Sequence, residues 1–514
     1  MSTIHFLIYS RAKKSNNFYY LVANKNYWMI IYKKYKYLGG ILLHNIINSS
    51  SKRMIKLMEI LVTDESESHL ISNIIKKMNI SLNTIIKDLN KISSYVSETE
   101  GLYLLLEKNN SIINTNLTFE TFFIIKSKIL LDSMSVKVLL EFIKHPYNDI
   151  KYYSGKLYVS NSSVYRRITT LNNYLEAYGL SITNQSGLYY INFESEYEYR
   201  RFVTSCLLEI YGKHVSSIIP FELISFFNNR LKKAYKKNLI EIIDYFDEYF
   251  FVFYFISIDR ETKGHHIKKL NNYNEEYIPF SLNEIKSLQQ LNVNLSVERL
   301  HVIESTICIN HYIISAIADS DDILNLKGYI DNLFLIFNLP DFSNEKDYIL
   351  TIFTDIYVNL TFFKVPLTFL NQKCIFFTDK IKIKHPIFYK KIKHWMFSIE
   401  KDLSLLFSLY ESYLIYHIVI AMPSILNYYV DFPIRIVSNV SKEHAEFIKS
   451  EMLINFKKDY IHFLNVSCID KNSFNVEELE KNTLLLSDFN IQYENVILID
   501  EYPNLEKIKK ALIK

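Results

Sequence analysis

The sequence predicts a mainly α, multidomain protein: two helical units sharing one repeat, two helical bundles, and a small C-terminal α/β domain with a largely parallel sheet. Three observations predict it. Glycine and proline are scarce, nine of each in 514 residues, and no glycine follows Gly328, which suits long helices better than hairpin-rich sheets. A segment beginning at Ile71 recurs about 79 positions later, at Ile150. From Pro433 onward, short apolar runs alternate with amphipathic stretches.

Composition narrows the function classes. The glycines have neither the spacing of a dinucleotide fingerprint nor that of a P-loop. No window holds the ~18 uninterrupted apolar residues of a spanning helix, so no membrane role is expected. Cys206, Cys308, Cys374 and Cys468 lie far apart, which indicates neither a disulfide framework nor a zinc ribbon and fits a reducing cytoplasm. The net charge of +4 hides a polarity: residues 1–50 carry seven Lys/Arg and no acid, residues 51–175 carry 16 against 12, and the remainder 36 against 43. A basic front and an acidic rear suit a nucleic-acid reader followed by regulatory domains.

Residues 1–53, with Tyr- and Lys-rich text such as Ile31 to Tyr37, show no helical period and no cleavage site. They read as a poorly structured basic leader with Met54 as the natural start. The first unit, 54–110, opens with a helix from Met54 to Val62. Thr63-Asp64-Glu65-Ser66 offers cap chemistry for the next helix, a tight turn follows at Asn79-Ile80, and a third helix starts at Ser81. The second unit, 111–194, repeats this order: a helix from Ser135 to Ile143, a break at His145-Pro146, a helix from Asp149, a turn at Tyr158-Val159 and a helix from Ser160.

In the third helix of each copy, Ile85, Leu89 and Ile92, or Val164, Ile168 and Leu171, recur at i, i+4, i+7 and form the buried stripe. Ser81 and Ser160 are placed to cap these helices. The opposite face carries Asn83, Thr84, Lys87, Asn90 and Lys91 in one copy. In the other it carries Asn161, Ser162, Ser163, Tyr165, Arg166, Arg167, Thr169 and Asn173. Short hydrogen-bonding side chains mixed with cations are the chemistry that reads base edges in a major groove while holding phosphates. One such face is usually plain solvated surface; two with the same cap, turn and stripe favour a pair of readers.

After the second copy, Leu180 to Thr183, then Asn184-Gln185-Ser186-Gly187, then Leu188 to Ile191 reads as a hairpin closed by a glycine turn, the wing of a winged helix-turn-helix. Gly101-Leu102-Tyr103-Leu104 ends a similar wing in the first copy. Neither helix-turn-helix turn contains glycine, so Asn79 and Tyr158 must take any left-handed position.

These tandem units, with Val159 to Ile168 followed by Leu171-Asn172 and a wing, resemble the Mga/AtxA-like transcriptional regulators of Gram-positive bacteria. The resemblance covers about residues 54–514. It implies two helical phosphotransferase-regulated domains, here 195–293 and 294–425 with a boundary near Leu291 to Ser296, and at 431–514 a domain resembling the B component of sugar phosphotransferase transporters. It also implies that some histidines receive phosphate and shift dimerisation and activity; His214, His311 and His417 are the candidates. His265 and His266 read as an exposed loop pair. His301, Glu304, Cys308 and His311 share one helical stretch, but one helix cannot wrap a tetrahedral ion with all four, so no metal or cofactor is assigned.

In the tail, Pro433 to Ser438, Ile461 to Val466, Thr483 to Ser487 and Val496 to Ile499 read as strands, Ser441 to Phe456 and Pro503 to Ile513 as helices. The transporter component carries its phosphoacceptor just after the first strand. Here Ser438-Asn439-Val440-Ser441 holds neither cysteine nor histidine, and Cys468 follows the wrong strand, so the tail reads as an oligomerisation or signal-receiving module without chemistry. The expected protein is a cytoplasmic, non-enzymatic regulator, an activator and homodimer, with double-stranded promoter DNA, a phosphocarrier protein and RNA polymerase as partners. An RNA-binding antiterminator or a phosphoryl-relay protein is the alternative.

Overall fold

The computed structural model describes residues 43–64, 66–96, 102–107, 111–236, 246–267, 278–309, 313–314, 317–318, 320–337, 339, 343–430, 432–458, 461–463, 465–480 and 483–512. Helix α1 spans Ser49–Thr63, with Asn48 as its cap accepting from the Ser51 amide at 2.8 Å. The helix expected to open at Met54 thus begins five residues earlier, and Leu43, Ile46 and Ile47 before it are buried. The limit drawn between leader and first unit falls inside a helix. Its polar first turn, Ser49-Ser50-Ser51, has no apolar period to betray it.

Strand β1, Ser68–Leu70, leads directly into α2, Ile71–Met78, and α3 covers Leu82–Val96. The Thr63 to Ser66 segment therefore does not cap α2; Leu70 stands at that position and makes no side-chain cap. Strands β2, Leu104–Glu107, and β3, Ile112–Thr115, complete an antiparallel sheet in the order β1-β3-β2. Because β3 lies past residue 110, the first unit runs to Thr115.

Next come α4, Phe119–Asp132, α5, Met134–Lys144, α6, Ile150–Leu157, and α7, Asn161–Leu175, then the hairpin β4, Leu180–Gln185, and β5, Leu188–Phe193. The repeat is strict. Helices α2 and α6 are both eight residues and α3 and α7 both fifteen, with Ile71 to Ile150 and Leu82 to Asn161 each separated by 79 positions.

The helical middle holds α8, Glu196–Tyr211, α9, Phe221–Lys236, α10, Phe246–Thr262, α11, Leu282–Gln290, and α12, Val297–Ile307. Helices α13, Asp321–Ile336, α14, Ser343–Phe362, α15, Thr368–Lys384, α16, Pro386–Leu403, and α17, Glu411–Ala421, follow. Buried arginines stitch the middle together. Arg230 on α9 holds Glu304 on α12 at 2.5 and 2.6 Å. Arg200 on α8 donates to Glu261 on α10 at 3.0 Å, and Arg299 on α12 to the same carboxylate at 2.6 Å. Removing one partner from such a buried pair costs about 3–5 kcal/mol, because the other charge is stranded.

The Arg230–Glu304 and Arg299–Glu261 pairs cross the boundary expected near Leu291 to Ser296, which separates no compact units. Of the described residues, those up to Leu326 with Ile352–Phe376 and Ile399–Tyr413 form one compact unit. Lys327–Thr351, Phe377–Ser398 and Leu414 onward form the second. Hydropathy marks helices but not which of them share a core.

In the second unit, β7, Ile434–Val437, β9, Val466–Ile469, β10, Leu484–Ser487, and β11, Val496–Leu498, form a wholly parallel sheet ordered β11-β10-β7-β9. Helices α18, Lys442–Lys458, and α19, Leu505–Leu512, flank it, and Ile387 of α16 is buried in the same core. The single strand expected over Ile461 to Val466 is two: β8, Ile461–Phe463, pairs in parallel with β6, Tyr428–Val430, and β9 joins the main sheet.

Candidate nucleic-acid interface

The candidate reading helix α7 is built as its sequence requires. Asp149 caps α6 by accepting from the Tyr152 amide at 2.8 Å, and Ser160 caps α7 by accepting from the Ser163 amide at 3.3 Å. Between them Tyr158 stands at φ +55° and is 95% exposed. Its counterpart Asn79 stands at φ +53°. A left-handed L-residue costs roughly 1–2 kcal/mol, less for Asn, whose side chain bonds locally. With no glycine available, the turn geometry imposes this cost on both.

On α7, Val164, Ile168, Leu171 and Leu175 are buried while Asn161, Ser162, Tyr165, Arg166, Thr169 and Asn173 are exposed; Ser163 and Arg167 are half-buried. On α3, Ile85, Leu89, Ile92 and Val96 are buried, Asn83, Lys87, Asn90 and Lys91 are exposed, and Thr84 is half-buried. Ser81 caps α3 through the Thr84 amide at 3.3 Å. One residue departs from its expected setting: Lys91 Nζ lies 3.9 Å from Asp132, at the end of α4. Asp88, which sequence reasoning passed over, is a buried anchor that accepts from Arg53 Nε at 2.8 Å and ties α3 to α1.

The wing closes on Ser186 and Gly187, at φ +52° and +85°, the two left-handed positions of a type I′ turn. Asn184 Oδ1 accepts from the Gly187 amide at 3.0 Å. A third segment, invisible in the sequence, completes it. The Tyr147 amide donates to Tyr189 O, and the Tyr189 amide to Asn148 O, each at 2.8 Å, so 147–148 lies against β5 where β1 lies against β3 in the first unit. The Tyr147 and Tyr190 rings stack at 4.9 Å. Under them Tyr153 is buried, its hydroxyl 2.6 Å from His145 O, and burial pushes it up to about 12.

Residues 118–189 match the Mga helix-turn-helix domain family. The chain carries an Mga helix-turn-helix domain. No curated protein matches the chain. The Mga match takes in α4 to α7 and all of β4, so it contains the capped turn and the polar face just described. The matched domain supports a DNA-binding transcriptional regulator. Among the described residues, no helix is long and apolar enough to cross a membrane, and no group of three His, Cys, Asp or Glu is placed to hold a metal ion.

The candidate histidines behind the Mga domain differ in setting. His214 is exposed in the 3₁₀ turn Gly212–Ile218 that follows α8. His311 lies outside the described residues. His417 is buried on α17, with Nδ1 2.6 Å from the Tyr348 hydroxyl, so its imidazole is not presented at the surface. His266 is exposed in the loop after α10, and its Nδ1 lies 2.6 Å from Glu261, whose carboxyl stays below its usual range as His266, the Ile267 amide and Arg299 together overcome its burial. Glu304, weighed as a metal ligand, is occupied by Arg230.

The loop after β7 also differs from its sequence appearance. His444, on the first turn of α18, brings Nδ1 to 2.8 Å from Ser438 Oγ, and Ser438 donates to Asp488 after β10 at 2.7 Å. The Asn439 amide donates to the same carboxylate at 2.6 Å. His444 stands six residues beyond Ser438, and the first turn of α18 brings it back against the loop. Cys468 is half-buried on β9, and burial pushes its thiol up to about 11.

Proposed function

We propose that this regulator reads promoter DNA with both α3 and α7, the exposed Asn83, Lys87 and Asn90 on one and Ser162, Tyr165, Arg166 and Asn173 on the other facing the major groove. The observation that carries the reading is the strict repeat: the same cap, the same left-handed turn and the same fifteen-residue helix present a polar, cationic face twice. Arg166 and Lys87 occupy equivalent helix positions, 79 residues apart, at the centre of those faces. The Ser81 and Ser160 amino-terminal turns add oriented backbone amides suited to phosphates.

The helical middle and the parallel-sheet tail are the regulatory part in this reading. His214, exposed beside the end of α8, is the residue best presented to a phosphocarrier protein, and a phosphoryl group there adds charge and strong acceptors at a helix junction. The regulator acts as a cytoplasmic homodimeric activator that presents promoter DNA to RNA polymerase. Titrating the full chain with a random-sequence duplex library and with a hairpin RNA pool at matched salt tests the central claim. Enrichment of a duplex subset supports DNA reading; tighter binding to the hairpin pool overturns it in favour of an antiterminator.

A further inference from the structure

Asp132 is the last residue of α4, where a carboxylate opposes the helix dipole and weakens rather than strengthens the helix end. Its partners supply the reason for its presence. Tyr95, on the first unit's α3, donates its hydroxyl to Asp132 Oδ2 at 2.9 Å. Lys91, one turn earlier on the same helix, places Nζ 3.9 Å from that oxygen. Lys137, on α5 of the Mga domain, donates to Oδ1 at 3.2 Å. A second tie runs the other way, from Lys128 Nζ on α4 to Tyr95 O at 3.1 Å. The Tyr95 hydroxyl first, and the two ammonium groups after it, hold the Asp132 carboxyl below its usual range.

The carboxylate thus joins both reading units. Lys91 and Tyr95 belong to the carboxy-terminal half of the helix whose amino-terminal half carries Asn83 and Lys87, whereas α4 and α5 are the opening helices of the Mga domain. We propose that Asp132 is a positioning residue that fixes the orientation of the first reading helix relative to the second, so that one chain engages two DNA half-sites at a set spacing. The claim rests on both units reading DNA, as argued above. It also reassigns Lys91 from phosphate contact to this junction.

Two linked readers gain affinity through the effective concentration each confers on the other, and that gain depends on geometry. Loosening the clamp leaves each reader intact and makes the pair less selective for spacing. Hydrogen bonds of this kind contribute modestly, and so the expected effect is a several-fold change.

The test uses the full chain and a duplex recovered by it from a random-sequence library, then lengthened between its two protected segments by about half a helical turn, ~5 base pairs. In the wild type the insertion weakens binding about tenfold or more. In Tyr95→Phe/Asp132→Asn the uninterrupted duplex binds about 3- to 10-fold more weakly and the insertion has little further effect, while duplexes carrying one segment alone bind as to wild type. The charge exchange Lys91→Glu/Asp132→Lys restores part of the spacing preference lost in Asp132→Lys. An unchanged insertion penalty in Tyr95→Phe/Asp132→Asn, with the thermal transition intact, overturns the clamp alone. Recovery of no duplex subset by the wild type overturns the DNA reading on which it rests.

Discussion

The Asn172 side chain makes both backbone hydrogen bonds of Ile182: its Nδ2 donates to Ile182 O at 2.9 Å, and its Oδ1 accepts from the Ile182 amide at 2.6 Å. One amide on α7 thereby takes the place of a neighbouring strand for β4 and fixes the wing to the reading helix. Asn172→Ala leaves both Ile182 groups to find water or go unpaired, a cost of about 1–3 kcal/mol. Thermal unfolding of the full chain checks this, and the lowest transition should move down. Asn172→Asp, which keeps the acceptor and loses the donor, should fall between Ala and wild type.

Arg166 and Arg167 are the cations on α7. Each guanine or phosphate contact made by an arginine in such a position contributes about 1–3 kcal/mol. Arg166→Ala should relax sequence preference at one base pair in a selected duplex, because Arg166 is exposed at the centre of the face. Arg167→Ala, half-buried, should weaken binding evenly across sequences and reduce the salt slope by about one. Equilibrium titrations at several salt concentrations separate the two outcomes.

Tyr158 holds its left-handed conformation with 95% of its surface in water, so it gives up little packing if replaced. Tyr158→Gly removes a penalty of roughly 1–2 kcal/mol and adds the unfolded-state entropy of glycine, about 0.5–1 kcal/mol. The net expectation is a gain of up to about 1.5 kcal/mol. Tyr158→Val, β-branched, should lose stability instead. Denaturant unfolding of both variants checks the opposite signs.

Lys126 on α4 is buried with its ammonium 2.6 Å from the neutral Gln372 Oε1 of α15, and burial holds it below its ordinary value of 10.5. A cation without a hydrogen-bonded carboxylate is an expensive core residue. Its folded-state value is depressed, so the unfolded chain binds the proton more tightly, and stability rises as pH climbs from the depressed value toward 10.5. Lys126→Met should be more stable at neutral pH and lack this alkaline gain. A thermal series from neutral to alkaline pH compares the two.

Much of the interface was legible in the sequence because its determinants are local. Ser81 and Ser160 cap from three residues away, the i, i+4, i+7 stripe is read along one helix, and a Ser-Gly pair sets a hairpin turn. The left-handed burden on Asn79 and Tyr158 followed from the absence of glycine alone. The tail's strand and helix order was equally local, apart from the break between β8 and β9, where a stretch that reads as one strand enters two different sheets.

What the sequence by itself determined, then, is the repeated capped helix-turn-helix, its buried stripe, its polar face and the order of strands and helices in the tail, since each arises from patterns within a few residues. Only the tertiary structure decided that β1 and β3 complete the first unit, that Asp132 gathers Tyr95, Lys91 and Lys137, that Glu304 and Glu261 answer buried arginines, and that His417 is buried while His214 is exposed. These depend on segments tens of positions apart being brought together by the fold. Whether a charge there is paired or solvated is set by that packing and not by its neighbours in sequence.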